Sequence, residues 1–384
     1  MKHIFSLLCL ALTSTNLVLG GELEIRKINP PKLGPDHIGR TVLCHRPLRL
    51  GGPKLDVEEL FGKLIASSYG HSGSGWTLGP GSVKYVIGLL EDKMTSQHMD
   101  KQEPIAIVGA GVMGLMSAIE LRQRGYQNIR IVAEAFENLT SHKAGGQFAP
   151  VYMGNDPSVQ PLMDRIGVDS YNFYKDIILG KHPYLTRGAA LVTDYFENKE
   201  DFGLEPYVAA GAMQPAKEVL LDFQNGTTRK MFAYDDCIYM DVSILMQDLQ
   251  KTVRNQQIPL MQQTIDSFAD LEEKVVVNCT GLGAKRLLGD DKIISVQGHL
   301  VMLKDQNPED VNYMIEIYLA QGKTSSGLDN TRAFYIFPKH LPDSEPNDIG
   351  VMGGTYIKYA DPSMPHEEEF ALIVENAKKF YGIE

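Results

Sequence analysis

Pro104-Ile105-Ala106-Ile107-Val108-Gly109-Ala110-Gly111-Val112-Met113-Gly114 decides how the chain is organised. The apolar residues after the proline predict a buried strand, and G-x-G-x-x-G over 109–114 predicts the turn that follows it. Beyond the turn Val112, Leu115, Met116 and Ile119 recur at i, i+3, i+4 and i+7, the spacing of one helix face, and Gly125 supplies a stop. A second strand is expected over Ile129-Arg130-Ile131-Val132, with Glu134 just beyond it. Gly109 makes the tight turn, Gly111 lets backbone approach a pyrophosphate, Gly114 allows close helix–strand packing, and Glu134 can accept from a ribose hydroxyl. The helix N-terminus at Val112 and Met113 offers N–H groups and partial positive charge to a diphosphate. Strand, turn, helix, strand and acid in this order predict a dinucleotide site on a parallel sheet; NAD and FAD both satisfy it.

The 384 residues suffice for a sizeable core and two interleaved domains. A formal net charge of -11, with no Lys/Arg run, argues against a nucleic-acid partner. Cys9, Cys44, Cys237 and Cys279 are far apart and form no CxxC pair, so neither a metal site nor a disulfide framework is suggested. Residues 1–20 have the form of a signal peptide: a basic start at Lys2, an apolar core from Ile4 to Leu12, and small residues near Gly20. That predicts export to a periplasm or the medium, against an alternative in which the segment packs on a cytoplasmic protein. The apolar core is too short for a stable membrane span. Asn138-Leu139-Thr140 and Asn225-Gly226-Thr227 match the glycosylation pattern.

Further segments narrow the ligand. Leu139-Thr140-Ser141-His142-Lys143-Ala144-Gly145-Gly146-Gln147 is a hydroxyl-bearing loop with a small-residue run, and Val275-Val276-Val277-Asn278-Cys279-Thr280-Gly281 is a buried strand ending in N-C-T-G. Phe334-Tyr335-Ile336-Phe337-Pro338 and Gly350-Val351-Met352-Gly353-Gly354-Thr355 read as further strands. In this order the segments resemble the FAD-dependent D-amino-acid oxidase family. The resemblance implies an α/β fold: a Rossmann-type FAD-binding domain with a parallel sheet, plus a substrate domain on an antiparallel sheet. Two elements that the family carries at its C-terminus stand here upstream of the glycine turn. Cys44-His45-Arg46-Pro47-Leu48-Arg49-Leu50 resembles its Arg-Pro strand, and Ser68-Tyr69-Gly70-His71-Ser72-Gly73-Ser74-Gly75-Trp76-Thr77-Leu78-Gly79-Pro80-Gly81 resembles its flavin loop. The expectation is a circularly permuted chain. Residues 21–91 form the moved segment, 92–103 a linker, 104–156 and 239–290 the FAD-binding domain, and 157–238 and 291–384 mainly the substrate domain.

An arginine before Pro47, on a strand unsuited to the interior of a ladder, suits a two-pronged grip on a carboxylate; the plain alternative is a surface arginine. By resemblance Arg46 anchors the substrate carboxylate, Tyr335 adds a hydroxyl to it, and the Gly73 carbonyl meets the substrate amine. Tyr335 read alone is an ordinary sheet residue. Resemblance likewise assigns Thr140, Ser141, Gly146, Gln147, Gly281, Ser74 and Gly75 to noncovalent FAD, with Thr77 at the flavin's carbonyl edge. His71 reads as a loop brace and Trp76 as packing. Thr331 stands where some relatives carry a second active-site tyrosine, which leaves the lid open. The implied reaction passes a hydride from the substrate Cα to the flavin, yields an oxo acid and ammonia, and returns electrons to oxygen or another acceptor. A relative acting on glycine, sarcosine or another secondary amine, and a non-catalytic flavin protein, are the alternatives. A homodimer is left open.

Overall fold

Ile105–Val108 and Val275–Asn278 are four-residue strands, entirely buried and apolar except for Asn278, and they lie side by side in parallel at the centre of a six-stranded sheet. The computed structural model from which this follows describes residues 23–151, 153–198, 203–338 and 348–383; the leader expected over 1–20 lies outside them. On one side the sheet continues through Ile129–Ala133 and Leu260–Gln262, both parallel. On the other it continues through Lys63–Tyr69, parallel, and ends at Lys54–Leu60, antiparallel. Strands buried on both faces must be covered on both. Helices Val112–Gln123, Gly75–Ser96 and Val242–Asn255 build the larger core on one face. Ile265, Phe268, Leu271 and Leu287 close the other. The predicted strand–turn–helix–strand is present, with Gly125 at φ 96° just past the first helix.

The second sheet has nine strands in the order Glu24–Lys27, Lys217–Asp222, Thr228–Tyr234, Asp194–Phe196, Met314–Lys323, Asp329–Phe337, Asp348–Lys358, Ile293–Lys304 and Ile38–Arg49. Its long strands pair antiparallel. Helix Glu368–Tyr381 packs on one face through Ile373, Ala377 and Phe380. The strand bearing Arg46 and Pro47 is the sheet's last, so the ladder is not interrupted by a residue that lacks an N–H.

Two details differ from the sequence expectation. The segment expected as a linker over 92–103 is helical as far as Ser96, because the apolar stripe Val83, Val86, Ile87 and Leu90 extends to buried Met94. The glycine loop is also shorter than expected, since that helix already begins at Gly75. Among the described residues no helix is long and apolar enough to cross a membrane. Cys44, Cys237 and Cys279 are free thiols.

Candidate active site

Between the two sheets lies a cavity of about 470 Å³. One end is made of backbone. Gly109, at φ 109°, lies so close to the N-C-T-G loop that a Cβ would stand 2.4 Å from the Cys279 carbonyl oxygen. A Cβ on Gly114 would stand 1.9 Å from the Gly109 carbonyl oxygen, so helix and turn touch only because both residues lack one. Gly281, at φ 56°, faces Pro47 of the substrate-side strand across 3.6 Å. The helix opening at Val112 is capped from outside: Val112 N–H donates to Ser141 Oγ at 3.0 Å, and Trp76 Nε1–H donates to the Ser141 carbonyl at 2.9 Å. Thr140 Oγ1–H donates to the His45 carbonyl at 3.1 Å, which ties this loop to the strand carrying Arg46. Glu134 and Arg286, paired at 3.2 Å, stand on the rim.

The other end is made of side chains projecting from the nine-stranded sheet. Arg46 Nη1–H donates to the Thr355 carbonyl at 3.0 Å, and the guanidinium lies across Gly298, where a Cβ would come within 2.5 Å of Nη2. Gly73 packs on the stem of the same arginine, its Cβ position 3.7 Å from Cδ. Tyr335 lies over Gly353 and stacks on Phe337, ring centroids 4.7 Å apart. Burial pushes the Tyr335 hydroxyl well above the ordinary tyrosine range, partly opposed by the nearby Arg46 charge, so at neutral pH it is a donor. Burial pushes the Cys279 thiol up to about 12, which leaves no thiolate beside the glycine turn.

Arg46, Gly73, Tyr335, Gly109, Gly111, Val112, Met113, Glu134, Thr140, Ser141, Gly146, Gln147, Gly281 and Gly75 therefore all border one cavity, although up to about 290 residues separate them. Three expected site residues do not. Gly114 lies behind the wall as a packing residue. Ser74 is buried, with its hydroxyl donating to the Val151 carbonyl at 2.9 Å. Thr77 does not reach the cavity: the helix starting at Gly75 turns its hydroxyl toward the Ala149 carbonyl, 3.1 Å away. Gln147 borders the cavity, while its side-chain amide donates to Asp194 at 2.8 Å; burial pushes the Asp194 carboxyl well above the carboxylate range. His71 braces the loop as expected, 3.0 Å from Ser82 Oγ, and burial pushes its imidazole down to about 3. Trp76 does more than pack, since it borders the cavity. Sequence reading missed Gly298 and Glu316. For Glu316 a signal existed: a lone acid within the apolar strand Tyr313-Met314-Ile315-Glu316-Ile317.

A parallel-sheet nucleotide cleft closed by an antiparallel sheet that carries an arginine and a tyrosine defines a flavin-type oxidoreductase. The sequence model of the DAO family, described as FAD dependent oxidoreductase, matches residues 104–383, and the chain belongs to that family. A D-amino-acid oxidase of Dictyostelium discoideum is 25% identical over 215 residues, 54% of this chain and 59% of that protein, so this chain spans less than two thirds of it. A D-amino-acid oxidase of Streptomyces coelicolor is 25% identical over 278 residues, 72% of this chain and 77% of that protein. A solved glycine oxidase from Bacillus cereus ATCC 14579 is 14% identical, covering 72% of this chain and 79% of its own, with a TM-score of 0.46.

FAD is the family's cofactor, and the residues present fit it. Gly109, Gly111 and Gly281 present backbone to the cavity, with no room at Gly109 for a Cβ, Glu134 stands on the rim past the second strand, and the cavity continues to the sheet end.

Proposed function

We propose that the protein catalyses the FAD-dependent oxidative deamination of a D-amino acid. One observation carries this reading: Arg46 and Tyr335 lie in the same cavity as the Gly109 turn. Arg46 binds the substrate carboxylate through in-plane N–H donors at the edge of its guanidinium, which the Thr355 carbonyl and the bare backbone at Gly298 hold in place. Tyr335, kept protonated, donates its hydroxyl to the same carboxylate. Gly73, seated against the arginine stem, brings backbone beside the substrate amine. Phe337, Leu300 and Trp76 wall the cavity and exclude water. When bound, FAD supplies the hydride acceptor. Purified protein carrying FAD is expected to bleach anaerobically on addition of D-amino acids. Bleaching by N-methylglycine alone would move the reading to secondary amines, and no reduction by any amine would end it.

The same reading takes residues 38–96 as the family's closing segment placed ahead of its nucleotide fold. The family match begins at residue 104, yet strand Lys63–Tyr69 completes the parallel sheet and strand Ile38–Arg49 the antiparallel one. The Tyr313 hydroxyl meets both the Asn29 carbonyl, at 3.3 Å, and the Tyr381 hydroxyl, at 2.8 Å. The two ends of the described chain are thus neighbours, the arrangement in which permutation is tolerated. A chain that begins at residue 104 and carries residues 23–96 after residue 383 is expected to retain FAD; failure of that chain to bind FAD while it folds would contradict the permutation.

A further inference from the structure

Gly298 lies under Arg46 and Leu300 borders the cavity, so His299 between them is turned to the opposite face of the sheet. It is buried there against the edge of Phe370, from helix Glu368–Tyr381, with ring centroids 4.8 Å apart. The ladder around it is irregular: Gly298 and His299 stand opposite Gly354, Thr355 and Tyr356, a bulge. In an unbroken antiparallel ladder, a backbone N–H aimed at the next strand bonds a backbone carbonyl. Here His299 N–H donates to Thr355 Oγ1 at 2.9 Å, while the Thr355 carbonyl accepts from Arg46 Nη1–H at 3.0 Å. The imidazole adds a second tie, its Nδ1 lying 2.8 Å from the same hydroxyl. Nε2 lies 2.6 Å from the Pro365 carbonyl, which can only accept, so Nε2 carries the ring proton. Burial lowers the imidazole pKa, with Arg46 and His366 acting in the same direction and the Pro365 carbonyl and Glu369 opposing. The ring is therefore neutral at neutral pH, and Nδ1 accepts from the Thr355 hydroxyl.

We infer that His299 is a positioning residue for substrate binding: it clamps the Thr355 hydroxyl and, through the Thr355 carbonyl, holds the Arg46 guanidinium ready for a carboxylate. This rests on the reading of Arg46 above and adds the residue that orients it. His299 itself touches no substrate, because the sheet lies between its ring and the cavity. The Thr355 hydroxyl gives its proton to Nδ1 and accepts the His299 N–H, so both bonds go to one residue and fix the side chain in one orientation. Threonine is stiff about χ1, so a fixed hydroxyl also fixes the backbone from which the carbonyl projects. A bulged strand lacks the regular ladder that otherwise sets a carbonyl's direction, and the clamp stands in for it. An arginine held in advance loses less freedom when the carboxylate arrives, which raises affinity without a further contact.

The test is calorimetric titration of the FAD holoenzyme with pentanoate, a carboxylate that has no amine to oxidise. Thr355→Val and His299→Leu are each expected to weaken pentanoate about 3- to 10-fold, the scale of one long side chain left to be immobilised. KM for a D-amino acid that reduces the wild type should rise by a similar ratio, the loss falling on KM more than on kcat. Thr355→Ser keeps the hydroxyl and His299→Asn keeps an acceptor near the place of Nδ1, so both are expected within about twofold of the wild type. In an Arg46→Ala background Thr355→Val should cause no further rise in KM. Wild-type affinity in Thr355→Val and His299→Leu, or a loss that persists without Arg46, overturns the role. Where neither of those variants folds, Thr355→Cys decides: it keeps the size of serine with a weaker hydrogen bond, and affinity equal to that of Thr355→Ser overturns the role as well. If D-amino acids reduce the flavin and Thr355→Val binds pentanoate as the wild type does, deamination stands and the role of His299 falls. If no amino acid reduces the flavin and pentanoate does not bind, both readings fall.

Discussion

The two ends of the cavity are built from different materials. At the nucleotide end the wall is backbone brought close by glycines, and a single added methyl group would collide with a carbonyl oxygen at Gly109 or Gly114. At the sheet end the wall is side chains, Arg46, Tyr335 and Glu316, spaced by strand register and laid over Gly298 and Gly353. The first kind of wall tolerates almost no change and is written in consecutive residues. The second tolerates change in small steps and is written across three separate strands.

That difference can be broken or sharpened by experiment. Gly114→Val should have the largest effect: the added atoms meet the Gly109 carbonyl with no room to yield, and overpacking of this kind costs about 1–3 kcal/mol or more. Loss of FAD from the purified protein, with a lowered Tm, is the expected readout; a yellow protein of wild-type Tm would show the wall to be softer than drawn.

His71, buried behind the glycine loop, supplies a pH test. Its folded pKa, pushed down to about 3, lies below the ordinary value of 6.5, so between these values the unfolded chain binds the extra proton. Stability is therefore complete above pH 6.5 and falls as pH drops toward 3, by roughly 1.4 kcal/mol per pH unit from this group once the unfolded histidine is fully protonated. Urea unfolding of His71→Asn across that range should give a flatter profile than the wild type; parallel profiles would remove His71 as the cause.

Gly298→Ala is expected to act at the sheet end alone. The clash is with the tip of a flexible arginine, which can move aside. KM for a carboxylate substrate should rise several-fold to tenfold, about 1 kcal/mol, with FAD content unchanged. A fall in FAD content instead would mean that the two ends are not separable.

Glu134→Ala should do least. The side chain is 65% exposed, so its hydrogen bond to a ribose competes with water, and FAD affinity should drop about two- to tenfold without loss of folding. Wild-type affinity in a fluorescence titration would take Glu134 out of the site.

The contrast between the walls also explains what could be read in advance. The Gly109 turn was legible because close approach of backbone permits only glycine, and the requirement sits within six consecutive residues. Arg46 and Tyr335 became legible only through resemblance, since neither residue type announces a site alone. Gly298 left no signal and Glu316 only that of a lone acid in an apolar strand, because the meaning of both depends on pairing. The strand of Gly298 slips register between Gln297 and Leu300 and that of Glu316 between Tyr318 and Ala320, which alternation of side chains cannot foretell. The side chains of Thr77 and Ser74 point elsewhere for local reasons: Ser74 Oγ–H donates to the Val151 carbonyl, and the helix opening at Gly75 turns the Thr77 hydroxyl toward the Ala149 carbonyl.

The most direct measurement follows flavin absorbance during anaerobic titration with a D-amino acid that reduces the wild type, comparing wild type and Arg46→Ala at equal FAD content. A single cavity joining the front strand to the nucleotide fold predicts that the wild type bleaches and that the variant needs about 10- to 150-fold more amino acid to reach the same reduction. Bleaching of both proteins at the same concentration would contradict it.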